Sequence, residues 1–227
     1  MPVDDIFQKI ESIIPNTIIY TTHDYKPMHD ITNFHKYLER AGFDTKAHQV
    51  EGVKWCLANE VEGQQVSNTI VRGGLIADEM GLGKTAQMIG VILCNFFTSR
   101  TLIVLPRALL EQWTTVLRTT AGHQPLVYHG HTKQNITLDQ LKSAPVVLTT
   151  YGLVATHKTG KLSLLHQVKW RRVIFDEAHH LRNHKTNIHQ GALKLKTTIR
   201  WLITGTPIQN SRKDFYSLCS VLQIPNG

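Results

Sequence analysis

From residue 73 onward, short apolar runs alternate with longer amphipathic ones. "GGLIAD" (73–78), "TLIVLP" (101–106), "PLVYHG" (125–130), "PVVLTTY" (145–151), "RRVIFDEA" (171–178) and "RWLITGT" (200–206) each read as a strand. Between and after them, "KTAQMIGVILCNFF", "ALLEQWTTVLRTT", "TLDQLKS", "NIHQGALKLK" and "RKDFYSLCSVLQI" read as helices. Strands that are apolar throughout are buried on both faces. The pattern therefore predicts an α/β fold, a parallel sheet with helices on both sides. Upstream, "VDDIFQKIESII" (3–14) and "ITNFHKYLERAGF" (31–43) predict two short helices, and Trp55 and Trp113 fall in apolar helical patterns expected to be core. A boundary near Thr45 would separate an N-terminal extension (1–45) from the α/β domain (46–227).

In sheets of this kind ligands bind at the carboxyl ends of the strands, and the polar motifs fall there. "GGLIADEMGLGKT" runs from a strand into a loop ending Gly83-Lys84-Thr85. Gly81 and Gly83 allow backbone N–H groups to wrap an anion, and the following helix aims its positive end at it. Lys84 suits β- and γ-phosphates and Thr85 suits Mg²⁺. The loop departs from G-x-x-x-x-G-K-[ST] in one respect: Asp78 stands where the first glycine is usual. About ninety residues on, "RRVIFDEAHH" ends a strand in Asp176-Glu177. Asp176 suits Mg²⁺ and Glu177 suits activation of the attacking water.

The 227-residue chain carries a net charge of +8, unevenly spread. Residues 1–62 hold 6 Lys/Arg against 10 Asp/Glu, and residues 63–227 hold 19 against 7. A half this basic attracts polyanions. Cys56, Cys94 and Cys219 are scattered, which fits a reducing compartment and no disulfide framework. No apolar run is long enough to span a bilayer. His180 and His184 have i,i+4 spacing, but the glutamate of an HExxH zinc motif is absent.

"ADEMGLGKT", "DEAH" and "LITGTPIQN" resemble motifs I, II and III of superfamily-two helicase-like ATPases, and within them the Swi/Snf family of DNA translocases. "HQVEGVKWCL", "LIVLPRALLEQW" and "LTTYGLV" resemble further motifs of the same family, so the likeness covers about residues 46–223. "DEAHHLRN" and "RWLITGTPIQNSRKDFYSL" look closest to the branch of the helicase-like transcription factor and related repair translocases. In this family the loop commonly reads DEMGLGKT, so Asp78 is the family's own variant.

The resemblance implies a RecA-like, P-loop NTPase lobe that binds ATP and Mg²⁺ through Asp78, Glu79, Met80, Gly81, Leu82, Gly83, Lys84 and Thr85. It implies that Gln49 reads the adenine edge, and that His179, Thr204 and Thr206 couple phosphate state to DNA contact. Arg107, Thr149, Thr150 and Tyr151 follow strand ends and are expected to meet DNA phosphates. The implied partners are double-stranded DNA and DNA-bound protein, such as nucleosomes or transcription and repair factors. A monomer is expected, in the nucleus of a cell or at the replication site of a large DNA virus. The family's second lobe, with its arginine fingers, has no counterpart in this chain, so the lobe by itself is expected to hydrolyse ATP very slowly. Two rival readings are a strand-separating DEAH-type helicase and a non-enzymatic, basic nucleic-acid-binding module. The first is disfavoured by "EMGLGKT" with "ITGTPIQN", the second by the complete set Lys84, Thr85, Asp176 and Glu177.

Overall fold

A computed structural model describes residues 30–77, 83–95, 100–157, 159–207 and 212–225. The predicted helix 3–14 and the loop residues Asp78, Glu79, Met80, Gly81 and Leu82 lie outside the described residues.

Among the described residues the order opens with two helices, α1 (Thr32–Ala41) and α2 (Ala47–Val61), then a hairpin of β1 (Gln64–Val66) and β2 (Thr69–Ile76). Next are α3 (Lys84–Cys94), β3 (Thr101–Leu105), α4 (Leu110–Thr119), β4 (Leu126–Tyr128), α5 (Leu138–Ser143) and β5 (Val146–Thr150). A one-turn α6 (Tyr151–Val154), β6 (Lys169–Asp176), α7 (Asn187–Leu193), β7 (Lys196–Ile203) and α8 (Arg212–Val221) complete the order. The strands form one seven-stranded sheet, ordered β1-β2-β7-β6-β3-β5-β4. Among the described residues, only the β1–β2 pair is antiparallel. The parallel α/β sheet read from the apolar runs is therefore present. The short edge strand β1, polar at Gln64 and Gln65, gave no such run.

Alternation along each strand splits the core into two layers. Ile103, Leu105, Val146, Leu148, Ile174, Ile199 and Trp201 face α1, α2, α3 and α4. Leu102, Val104, Val147, Val173, Phe175 and Leu202 face α5, α6, α7 and α8. On the first layer α1 docks on α3: Phe34 fills the space beside Gly90 that any Cβ there would claim. Helix α2 packs on α3 less tightly at Gly52, against the amide of Gln87.

Two boundaries show how side chains end elements. Helix α5 opens on a reciprocal cap, Thr137 accepting from the Gln140 N–H while the Gln140 side chain accepts from the Thr137 N–H. Helix α7 ends at Leu193, three residues before the pattern suggested. The Arg200 guanidinium, buried beneath it, donates to the carbonyls of Ala192, Leu193 and Leu195 at 2.8, 3.5 and 2.8 Å.

Burial also corrects the charge reading. Arg172 and Arg200 belong to the basic half but are 0% and 2% exposed. Arg172 donates to both carboxylate oxygens of Glu60 and to Thr101 Oγ1, and Trp201 Nε1 donates to the same carboxylate. These two cations are used inside the molecule and add nothing to a polyanion surface.

Candidate nucleotide and nucleic-acid site

Strand register sets the site. Ile76 pairs with Ile203, and Ile203 with Asp176, so the ends of β2, β7 and β6 stand level. Val104 pairs with Phe175 and Leu105 with Thr150, which carries the same edge across β3 and β5. Phosphate-loop, carboxylate and threonine motifs, spread between residues 83 and 206 of the chain, thus meet along one rim.

Gly83 closes the loop with φ 85°, in the left-handed region open to glycine. Its carbonyl accepts from Gln87 N–H at 3.0 Å, starting α3. Lys84 and Thr85 therefore occupy the helix's first turn, partly exposed, where the macrodipole is positive. Gln49, buried on α2, presses its side-chain amide against Gly83. Gln49, Gly83, Lys84 and Thr85 are thereby brought together.

Asp176 ends β6 and is 6% exposed. Its Oδ2 accepts from Trp113 Nε1 at 2.8 Å and its Oδ1 from Glu177 N–H at 2.9 Å, while its backbone carbonyl accepts from the Tyr151 hydroxyl at 2.6 Å. Burial pushes the Asp176 carboxyl up, against the pull of the Trp113 and Glu177 N–H groups and of nearby Lys84. With one donor on each oxygen, the carboxylate keeps lone pairs for a hard cation. Asp176 with Thr85 is the oxygen donor set that Mg²⁺ takes, and the residues fit it.

Glu177 follows in a left-handed conformation, φ 51° and ψ 50°. A residue with a Cβ held there stores roughly 1–3 kcal/mol, a cost concentrated at functional sites. The turn throws its carboxylate out of line with the strand, half-exposed and 3.0 Å from His179 Nδ1.

Motif III is tied in at two points. Thr204, 1% exposed, donates its N–H to the Ile76 carbonyl at 3.1 Å, at the end of β2. Thr206 donates its N–H to Thr204 Oγ1 and accepts from Arg182 Nη2 at 2.7 Å. His179 was expected to bridge the carboxylate motif to this one. Among the described residues it meets Glu177 and the His180 ring, and a hydrogen bond from the carboxylate segment to Thr206 comes from Arg182, which the sequence reading passed over.

The family model described as SNF2-related domain matches residues 48–226. The chain belongs to that family. Among relatives of the SNF2-related chain, an uncharacterized ATP-dependent helicase of Schizosaccharomyces pombe is 34% identical over 202 residues, covering 78% of this chain and 19% of that protein. Transcription termination factor 2 of Drosophila melanogaster is 32% identical over 219 residues, 78% of this chain and 20% of that protein. A probable global transactivator of Orgyia pseudotsugata multicapsid polyhedrosis virus is 35% identical over 185 residues, 78% of this chain and 35% of that protein. The chain thus spans about a fifth of the length of the first two. A Sulfolobus solfataricus SWI2/SNF2 ATPase core solved in complex with dsDNA superimposes with TM-score 0.64 at 27% identity, over 78% of this chain and 35% of that one. The sheet is therefore the RecA-like one of SNF2 ATPase cores.

Within this SNF2-related chain the expected DNA-facing residues divide. Arg107 is exposed just past β3. Its charge and that of Lys133 depress the pKa of half-buried His129, after the larger effect of burial, so three basic groups gather at this end of the rim. Thr149 and Tyr151, by contrast, point inward. Thr149 is fully buried and donates to the Tyr128 carbonyl at 3.0 Å. Tyr151 is 5% exposed, its hydroxyl spent on Asp176 and its pKa pushed well above the usual value, first by burial and then by Asp176 and Glu177. The expectation that both offer hydroxyls to DNA is corrected, because buried polar groups take protein partners. Thr150 is nearly buried and shares a 3.2 Å hydrogen bond with His129 Nδ1. Trp113 is core, as expected, but its indole N–H is a carboxylate partner that no local pattern announced.

Among the described residues, no helix is long and apolar enough to cross a membrane.

Proposed function

We propose that this chain is the ATP-binding lobe of a translocase that moves along double-stranded DNA and displaces or remodels bound protein, in the nucleus or at a viral replication site. The observation that carries this is the level rim: Gly83-Lys84-Thr85, Asp176-Glu177 and Thr204 come to one edge of the sheet, with Gln49 against Gly83. Residues 1–45 are an extension and 46–227 the lobe. The solved relative with dsDNA supports duplex DNA as the substrate.

In this mechanism Gly83, Lys84 and the loop residues Asp78, Glu79, Met80, Gly81 and Leu82 hold the phosphates, and Gln49 meets the base. Thr85 and Asp176 would hold Mg²⁺, which supplies charge neutralisation across the β- and γ-phosphates. Glu177 takes the proton of the attacking water. His179 Nδ1, 3.0 Å away, steadies the Glu177 carboxylate in that pose. The Arg182–Thr206–Thr204 chain connects the carboxylate turn to the end of β2, so Arg182 joins Thr204 and Thr206 as a coupling residue. Arg107, with His129 and Lys133 beside it, meets the DNA backbone. The lobe acts as a monomer and hydrolyses ATP slowly until a second lobe supplies arginines.

The test is calorimetry of ADP and ATP with Mg²⁺. Lys84→Ala removes charged hydrogen bonds worth about 1.5–3 kcal/mol each, a loss of roughly tenfold to a hundredfold in affinity. Unchanged binding would remove the nucleotide assignment.

A further inference from the structure

Trp113 is among the largest fully buried side chains of the molecule. A buried indole N–H must find an acceptor. Trp170 satisfies its own on a backbone carbonyl, that of Leu165 at 2.9 Å. Trp113 reaches across from α4 to the end of β6 and takes Oδ2 of Asp176 at 2.8 Å, 63 residues away in sequence. The other oxygen, Oδ1, accepts from Glu177 N–H at 2.9 Å, and the residue's carbonyl from Tyr151 at 2.6 Å. Donors from opposite sides of one carboxylate fix its rotation about Cβ–Cγ. The Trp113 donor is a flat ring wedged in the core with only two torsions. The Glu177 donor belongs to a backbone held in an unusual turn.

We propose that Trp113 is a positioning residue for Asp176: its indole N–H pre-sets the carboxylate so that the free lone pairs face the Lys84–Thr85 side of the rim before nucleotide arrives. This rests on the reading of Asp176 as the metal-side carboxylate. Because the group is ordered in advance, binding the cation costs no further side-chain ordering there. Arg107 begins a 3-10 turn (Arg107–Leu109) that runs straight into α4, so the basic end of the rim and the Trp113 indole share one helical run. Metal-free nucleotide depends instead on Gln49, Gly83 and Lys84, while the Trp113 indole N–H is directed at Asp176.

The variant is Trp113→Phe, which keeps an aromatic ring and deletes the N–H. ADP affinity is measured on the 227-residue chain with Mg²⁺ and with a chelator, for both proteins. The Mg²⁺ advantage, the ratio of the two affinities, is expected to fall about three- to tenfold, with chelator affinity kept within about twofold, since one hydrogen bond to a charged group is lost. An unchanged ratio overturns the inference while leaving the nucleotide site standing. Should the unaltered chain bind ADP under neither condition, the reading of the site falls, and this inference with it.

A second measurement leaves Trp113 itself unaltered. The chain has four tryptophans, hence four indole N–H signals in a ¹H–¹⁵N spectrum. The Trp113 signal is the one displaced by Asp176→Asn. In the unaltered chain it is expected to shift on adding Mg-ADP and to stay in place with metal-free ADP. A signal indifferent to Mg-ADP overturns the proposal.

Discussion

Gln49 stands where a Cβ on Gly83 would be. Its side-chain amide nitrogen fills that space, and Gly83 sits at φ 85°, ψ 29°, beside the first turn of α3. Helix α2 and the residue that opens α3 are thus in contact, and that contact depends on the absence of one methyl group.

Gly83→Ala should therefore fail twice. The left-handed conformation costs an L-residue about 1–2 kcal/mol, and the methyl displaces the Gln49 amide. The expected result is at least a ~tenfold loss of ADP affinity, with one hydrogen bond to a charged group as the scale. Adding Gln49→Ala should recover little of it, because the backbone strain stays. Calorimetry on the single and double variants checks this; wild-type affinity in Gly83→Ala would mean that the loop tolerates another geometry.

Glu60 and Arg172 form a buried pair, 2% and 0% exposed, joining α2 to β6, with Trp201 and Asn95 also donating to Glu60. Removing one partner of such a pair costs about 3–5 kcal/mol, because the other is left charged in the core, while replacing both with apolar residues is far milder. Glu60→Leu should lower the melting temperature steeply, and Glu60→Leu/Arg172→Met should restore at least half of the loss. On α2, Glu60 lies eleven residues after Gln49, three turns along the same face. The single variant should therefore also weaken nucleotide binding, and equal damage from single and double variants would contradict the assignment.

Glu177 holds φ 51° with a full side chain. Glycine takes that conformation without the Cβ penalty. Glu177→Gly should be more stable than Glu177→Ala by about 1 kcal/mol, the usual reward for matching a residue to a left-handed position. In a chain carrying both lobes, Glu177→Gln should cut ATP turnover by ~10²–10⁴. Nucleotide affinity should hold, since Lys84 and Asp176 remain. Denaturant melts test the first expectation and steady-state kinetics the second.

Two buried histidines make the fold sensitive to acid. His189 shares hydrogen bonds with the Leu181 carbonyl at 2.7 Å and with Ser220 Oγ at 3.1 Å, and His166 with the Gly191 carbonyl at 3.1 Å. Burial depresses both below the ordinary 6.5, with nearby His184 adding to the effect on His189 and Lys194 to that on His166. A depressed folded value means that the unfolded chain binds more protons in this range. Their contribution is complete above pH 6.5 and is lost as pH falls through the folded values. Stability measured from pH 7.5 down to 5 should decline, and His189→Gln should flatten the decline. A flat profile in the unaltered protein would contradict it.

The apolar runs at 101–105, 146–150 and 171–176 announced buried parallel strands, because a strand covered on both faces needs no polar alternation. "GKT" and "DEAH" pointed to the chemistry proposed at their ends, since phosphate and hard-cation binding demand those residue types beside a strand–helix turn. The family, too, could be read from short local strings such as "ADEMGLGKT" and "LITGTPIQN". Only the tertiary structure paired Trp113 with Asp176, Arg182 with Thr206 and Glu60 with Arg172. These contacts join residues 63, 24 and 112 positions apart, and their partners are set by strand order and register. It likewise turned Thr149 and Tyr151 inward. Local sequence shows that a residue has a hydroxyl or an N–H to offer; which group receives it is decided by whichever distant strand or helix the core brings alongside.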